Sequence, residues 1–159
     1  MAKKGIETGL IKVYPDSILR VRSTEVEKIG HLEKVLFRQM LEIMKAFKGV
    51  GIAAPQIGIS RRLIVVDTGE GPVFMANPRI INGSGLEVME EGCLSVPGAL
   101  VDVSRKSNVT VTGINEKGKF KEIKAEGFFA RALQHEIDHL EGKLIIDYMP
   151  FDDKIKFGM

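Results

Sequence analysis

The sequence predicts an α+β fold, in which antiparallel β-sheets pack around a helix near the C-terminus and an amphipathic helix lies near the N-terminus. Three observations support this class. Apolar residues recur at helical spacing over about residues 32–47, short β-type runs follow from residue 62 to 125, and a second helical pattern covers about residues 128–140. The order of one helix, several strands and another helix is typical of α+β proteins with antiparallel sheets.

The first helix is predicted from a stripe of large apolar side chains on one helical face. The stripe consists of Leu32, Leu36, Met40, Ile43, Met44 and Phe47. Such a stripe is typical of a helix that packs against a core. Gly49 follows as the expected C-terminal stop, and His31, just before the stripe, is expected at the surface or as a cap.

The strands are predicted from short runs rich in β-branched residues and bounded by turn residues. They cover residues 62–67, 73–76, 108–113 and 120–125. A turn is expected at 82–85 and a hairpin turn at 115–118. Gly142 is expected to end the second helix, and residues 144–146 are predicted to form a last short strand.

Composition limits the classes of protein that fit. A chain of 159 residues with 44% hydrophobic content is expected to form one domain over residues 1–159. The 23 basic and 21 acidic residues give no argument for nucleic-acid or membrane-surface binding, and no apolar run reaches the ~18 residues of a membrane span. The basic start lacks the apolar segment of a secretory signal, and the single cysteine suits a reducing compartment, so we expect a cytoplasmic protein.

The second helix carries the most informative motif, His135-Glu136-Ile137-Asp138-His139. Residues four apart share one helical face, so both imidazoles can bind one divalent metal, with Glu136 placed to handle protons of a metal-bound water. The alternative is a chance pattern on a solvated face. Two of the three histidines fall in the motif and apolar residues flank it, which favours the metal site and makes this the central metal-binding helix of the predicted fold.

The H-E-x-x-H motif alone leaves the third ligand open. No glutamate follows Glu141, and Ile145 stands where an extended motif would have its third histidine. The downstream candidates are Asp147, Asp152 and Asp153. Cys93, in Glu-Gly-Cys-Leu-Ser, is the better candidate because a thiolate binds zinc or ferrous iron strongly. A lone cysteine is more often a small buried hydrophobe, but the unfinished His₂ site reverses that preference.

A third segment, Gly-Val-Gly-Ile-Ala-Ala-Pro-Gln over residues 49–56, combines small residues with one amide, Gln56. Small residues allow close approach of a ligand or another backbone. Gln56 has two interpretations, a turn residue bonded to nearby backbone or a donor aimed into the metal site. In order along the chain, this segment, the cysteine segment and Gln-His-Glu-Ile-Asp-His resemble the three motifs of the peptide deformylases, and the resemblance runs from Tyr14 to Asp147.

The resemblance implies a hydrolase that removes the formyl group from N-terminal formylmethionine and releases formate. It implies one divalent metal on Cys93, His135 and His139, most often Fe²⁺ in the cell and replaceable by Ni²⁺, Co²⁺ or Zn²⁺. Glu136 would act as general base and acid, and an oxyanion would be met by Gln56 and the Leu94 backbone N–H. The substrates would be nascent chains in transient contact with the ribosome, in a bacterial cytosol or, as the less favoured alternative, in an organellar stroma or matrix.

The resemblance also implies an apolar slot for the methionine side chain. Its walls would be Gly49, Val50, Gly51, Met89, Leu94, Phe128, Ala132 and His135. Arg105 would pair with Glu91 outside the ligands, whereas Asp138 is expected to point away from the metal and to anchor the helix.

Two departures from the family pattern leave roles open. Several relatives carry an arginine in the loop after Pro97, which has none here. The second departure is Arg131, whose side chain could line the pocket mouth or be solvated.

Two alternative functions also stay open. One is a small metallopeptidase, which needs a third ligand other than Cys93, and the other is a metal-stabilised binding module without turnover.

Overall fold

The computed structural model describes residues 10–159 and confirms the α+β class. Residues 1–9, with the basic start from which we expect no secretory signal, lie outside the described residues. The helices are α1 (His31–Ala46), α2 (Gly127–Leu140) and α3 (Phe151–Ile155), with 3₁₀ turns at Ser17–Arg20, Ala54–Ile57 and Ile145–Tyr148. The strands are β1 (Gly51–Ala53), β2 (Leu63–Val66), β3 (Val73–Ser84), β4 (Glu87–Glu91), β5 (Val101–Arg105), β6 (Asn108–Ile114) and β7 (Phe120–Glu126).

All paired strands are antiparallel, in a five-stranded sheet ordered β1-β2-β3-β6-β7 and a separate β4-β5 pair. Strand β2 is buried on both faces, which explains its unbroken apolar sequence. Because successive side chains point to opposite faces, Leu63 and Val65 pack with α1, whereas Ile64 and Val66 pack with α2. The large sheet therefore holds the two long helices against its two faces.

Helix α1 matches its prediction in type and extent, with two differences in detail. Leu32, predicted in the apolar stripe, is 56% exposed, because it lies in the first turn beyond the reach of the sheet. The left-handed residue after the helix is Lys48, with φ 57°, instead of Gly49. Gly49 instead bonds back to the helix through its N–H, which donates to the Met44 carbonyl.

Two local predictions are wrong. Residues 82–84 extend β3, paired with β6, and the chain turns one step later at Gly85, which has φ 72°. The predicted strand at 144–146 is a 3₁₀ turn, because the Asp147 carboxylate accepts the Leu144 backbone N–H and closes the turn. The hairpin turn at 115–118 is confirmed, with the Asn115 side chain accepting two backbone N–H groups.

Helix α2 packs against β1, β2 and β7, so it lies against one face of the large sheet. The Gln134 amide fixes its rotation, because it donates to the Lys106 carbonyl and accepts the Lys106 N–H, both at 2.9 Å. This contact ties α2 to the connection between β5 and β6. No helix within residues 10–159 has the length and apolar character needed to cross a membrane.

Candidate metal centre and active site

Cys93 and two histidines of α2 form one cluster of donor atoms. The Cys93 thiol and the rings of His135 and His139 each contribute one atom, and the three atoms lie within 4.8 Å of one another. Cys93 Sγ lies 3.4 Å from His139 Nε2. Cys93 reaches the histidines because it follows β4 directly, where the chain turns back toward α2.

This donor set fits a divalent metal ion. Bonds of ~2.0–2.3 Å in a tetrahedral site separate two ligand atoms by roughly 3.3–3.8 Å, which includes the Cys93–His139 separation. His139 is 1% exposed, and burial lowers its pKa well below the ordinary value, with the neighbouring His135 adding to the effect. A neutral imidazole is the form that binds a metal. Cys93, His135 and His139 are therefore the residues that would hold the ion.

Glu91 fixes the orientation of His135. Burial opposes the ionisation of the Glu91 carboxyl. Hydrogen bonds from His135 and Arg105 outweigh burial and hold the pKa of Glu91 well below its usual value. The ionised carboxylate can only accept, so His135 Nδ1, at 2.8 Å, donates its proton to Glu91 Oε1. In the neutral ring, the form that binds a metal, the lone pair of His135 is then on Nε2, which leaves that nitrogen available to a metal.

Two arginines complete the hydrogen bonds of Glu91. Arg105 donates to both oxygens, at 2.9 and 3.0 Å, and Arg131 donates to Oε2 at 2.6 Å. Arg131 also donates to the carbonyls of Val103 and Glu87. It is 4% exposed, so its interpretation as a solvated residue is wrong. Its guanidinium joins α2 to β4 and β5.

Asp138, inside the motif, faces this arginine cluster and not the metal ligands. Its Oδ2 accepts from Arg105 at 2.5 Å and from the Tyr148 hydroxyl at 2.6 Å. The Arg105 guanidinium lies over the Tyr148 ring, 5.1 Å from its centre. Asp138 thereby links α2 to β5 and to the C-terminal 3₁₀ turn.

Glu136 is a buried carboxylate that lacks polar partners. It is 4% exposed, and its Oε1 makes no hydrogen bond with the described residues. Burial raises the pKa of Glu136 to about 7. A carboxyl group with that pKa can take up and release a proton near neutral pH.

The Gln56 side chain makes both kinds of contact expected for it, one with nearby backbone and one toward the metal ligands. Its side-chain oxygen accepts the Ala53 N–H at 2.9 Å, which turns the amide nitrogen toward the cysteine segment. That nitrogen lies 3.1 Å from the Ser95 hydroxyl and 3.8 Å from Cys93 Sγ. The hydrogen bonds of residues 10–159 include none donated by the Leu94 N–H, so this backbone donor is available beside Cys93.

An open cavity of about 630 Å³ leads to the donor cluster. Seven of the eight residues expected in the methionine slot line it: Gly49, Val50, Gly51, Leu94, Phe128, Ala132 and His135. Met89 does not line it, and its side chain is 38% exposed. The residues of β4 that border the cavity are the last two, Glu90 and Glu91, nearest to Cys93, and Met89 lies one residue further from it.

The downstream candidates for a third ligand lie outside the donor cluster. Asp147 pairs with Arg20 at 2.7 Å and closes the 3₁₀ turn, whereas Asp152 and Asp153 belong to α3. Among residues 10–159, the only group of three or more potential ligands with this proximity is the one that contains Cys93.

Sequence reasoning missed the functions of two residues near the site. Arg131 stands four residues before His135, and that helical spacing is a signal that both side chains can reach one partner. Ser95 is fully buried and accepts from the Gln56 amide, but a serine two residues after a cysteine carries no distinctive pattern.

Replacing Arg131 by methionine is expected to weaken metal binding by roughly 10–100-fold, because partners outside the ligand shell orient the ligands. Competition with a chromophoric chelator measures this affinity. Arg62→Met is the matched control, since Arg62 is equally buried and ion-paired, with Glu141, but does not contact Glu91. Equal losses of metal affinity in both variants would show that Arg131 acts only through general stability.

Helix α2 carries two imidazoles and a buried carboxylate in an H-E-x-x-H motif, and a thiol from outside the helix joins the two imidazoles. In an α+β fold, this arrangement defines a metal-dependent hydrolase. The sequence model of the polypeptide deformylase family matches residues 9–154. The chain belongs to this family, and it removes the formyl group from the N-terminus of nascent peptides.

Individual relatives agree with the family match. A peptide deformylase from Halothermothrix orenii is 52% identical over 139 residues, which are 86% of this chain and 90% of that protein. The crystal structure of a Legionella pneumophila peptide deformylase has a TM-score of 0.88 and 40% identity, covering 93% of this chain and 89% of that one. An Ehrlichia chaffeensis peptide deformylase in complex with actinonin has a TM-score of 0.90 and 36% identity, covering 92% and 91%.

Proposed function

We propose that Cys93, His135 and His139 hold one divalent metal ion and that Glu136 transfers the protons of deformylation. The observation that carries this proposal is the convergence of three donor atoms within 4.8 Å at the end of a cavity, beside a buried carboxylate. The bound ion supplies Lewis-acid polarisation of the formyl group and lowers the pKa of the attacking water.

The residues of the chain account for the proton and charge transfers. One water is consumed, the bond between the formyl carbon and the amide nitrogen breaks, and formate and a free amine result. Glu136 takes the proton of the water and returns it to the departing nitrogen, in keeping with its pKa of about 7. Negative charge on the formyl oxygen is met by the Gln56 amide and the Leu94 N–H.

Replacing Gln56 by leucine is expected to lower kcat by on the order of 10²–10³, the usual effect of losing one oxyanion donor. Metal content is expected to stay at the parent level, because the amide contacts Cys93 Sγ only at 3.8 Å. Ser95→Ala is the comparison variant, since it removes a partner of the amide and keeps the donor. A kcat at the parent level in Gln56→Leu would contradict the assignment.

We propose that the cellular ion is ferrous iron, as membership of the family implies, and the Cys-His-His set suits iron as well as zinc. An iron-loaded protein with a thiolate ligand should lose activity in air through oxidation of the metal or of Cys93. The measurement is formate release before and after aeration, with the nickel-loaded protein as the control. Unchanged activity of the iron form after long aeration would contradict the predicted sensitivity to air.

The methionine side chain of the substrate would occupy the cavity beside His135, against Val50, Phe128 and Ala132. A flexible thioether suits such an apolar wall. Glu91 and Arg105 would act from outside the ligands, by keeping His135 oriented for the metal. We further propose that residues 1–159 act as one catalytic domain, since one five-stranded sheet carries the core with α1 on one face and the core with α2 on the other.

The relatives from Halothermothrix orenii and Clostridium botulinum support a bacterial cytosol as the location. Nascent chains that leave the ribosome would be the substrates there, through transient contacts. The near balance of 23 basic and 21 acidic residues gives no basis for direct binding to nucleic acid.

The test is formate release from a formyl-Met tripeptide, measured beside the same tripeptide without the formyl group. Release of formate with both peptide bonds intact supports the proposal. Cleavage of the unformylated peptide would identify a metallopeptidase and overturn it. Binding of the formylated peptide by metal-loaded protein without release would identify a binding module and also overturn it.

A further inference from the structure

Glu136 has no polar contact that fixes its carboxylate among the described residues. Its Oε1 has no partner, and no hydrogen bond or ion pair within residues 10–159 includes the side chain. A carboxylate that carries protons must nevertheless be held in place, because a displacement of 1 Å can lower a rate by ~10²-fold. Packing is the restraint that the described residues themselves supply.

The packing surface is the backbone of Gly51 in β1. A Cβ at Gly51 would lie 2.5 Å from Glu136 Oε2 and 2.9 Å from both Cδ and Cγ of Glu136. The carboxylate thus occupies the space that any other residue at position 51 would fill. The backbone conformation does not demand glycine, since Gly51 is a strand residue paired with Val66 and has no positive φ.

We propose that Gly51 is a positioning residue for Glu136, and that its missing side chain sets where the carboxylate lies. This proposal rests on the proposed function, in which Glu136 carries the protons. It assigns Gly51 a contact with the Glu136 carboxylate, in addition to the expected contact with the substrate. Gly51 lines the cavity, so it can make both contacts.

Alanine at position 51 requires the carboxylate to move by roughly 0.9 Å, from 2.5 Å to the 3.4 Å at which Cβ contacts become ordinary. The carboxylate is the end of a flexible side chain, so it can move while α2 and β1 stay in place. We therefore expect Gly51→Ala to fold, bind metal and bind peptide, but to lose kcat.

The experiment is a double-mutant cycle with Gly51→Ala, Glu136→Asp and the double variant, all at matched metal content. Gly51→Ala is expected to lower kcat by about 10²-fold and to change KM by less than about threefold. Aspartate is one methylene shorter and withdraws from Gly51, so adding Gly51→Ala to Glu136→Asp is expected to lower kcat by less than about fivefold.

Gly83→Ala is the control for placing alanine at a strand glycine. Gly83 lies in β3 without a positive φ, and an added Cβ would meet the flexible Lys106 side chain at 3.2 Å and the Asn108 carbonyl oxygen at 3.5 Å, an ordinary contact distance. This variant should keep the parent kcat and KM. An equal loss of kcat from Gly51→Ala in both backgrounds, or a loss confined to KM, would overturn the proposal in favour of a direct substrate contact.

A folding defect in Gly51→Ala would still test the proposal. Thermal unfolding of Gly51→Ala and of Gly51→Ala with Glu136→Ala then replaces kinetics, because removing the Glu136 side chain removes the clash. Recovery of the parent unfolding temperature in the double variant supports the proposal, and continued destabilisation overturns it. An inactive parent with confirmed metal content would count against the proposed function instead.

Discussion

Replacing Glu136 by alanine is expected to lower the rate of formate release by about 10²–10⁴-fold, the range typical of a lost general acid–base group. The side chain is buried with a pKa of about 7 and has no structural hydrogen bond to lose. Metal binding and folding are therefore expected to survive the substitution. Formate release and metal content, measured on the same samples, check both expectations.

Glu136→Gln is the matched variant, because it keeps the shape of the side chain and removes its capacity to take up a proton. It should be as inactive as Glu136→Ala. A glutamine variant with the parent rate would show that the position matters for packing and not for proton transfer.

Replacing Cys93 by alanine is expected to weaken metal binding by more than the roughly 10–100-fold that follows loss of an outer partner of a ligand. The reason is that only two imidazoles of the donor cluster remain. Formate release should fall in proportion to metal content. Metal analysis after gel filtration, together with activity at increasing metal concentration, measures the loss.

Cys93→Ser distinguishes this account from a metallopeptidase. Serine keeps the size of the side chain but is a poor ligand at neutral pH, so metal affinity should again fall. Full metal content together with peptidase activity in Cys93→Ser would mean that another residue completes the site. Asp147 is not available to complete the site, since its carboxylate is engaged by Arg20 and by the Leu144 N–H.

The separate segments of the site were visible in the sequence because their chemistry is local. The i,i+4 spacing of His135 and His139 places both imidazoles on one face of α2. The fourfold hydrogen bonding of Glu91 was not visible in full, because Arg131 and Arg105 reach it from different elements. Long-range contacts of this kind depend on how β4, β5 and α2 pack together.

The elements of the fold also divide into those visible in the local sequence and those set by long-range contacts. The period of α1 and the runs of β2, β6 and β7 sufficed to predict these elements. Strand β5, with alternating buried and exposed residues, carried a strand pattern that the sequence analysis did not use. Strand β4 carried none, because four of its five residues are exposed and only Glu91 is buried. Its place is set by pairing with β5, a tertiary contact.

The most direct test of the central claim is an anaerobic titration of metal-free protein with ferrous iron, monitored by formate release from a formyl-Met tripeptide. If Cys93, His135 and His139 hold the catalytic ion, the rate rises in proportion to bound iron and stops rising at one ion per chain. At the same occupancy, Glu136→Ala should release formate at a rate lower by about 10²–10⁴-fold. Formate release that is independent of bound metal, or equal rates for the parent and Glu136→Ala at full occupancy, would contradict it.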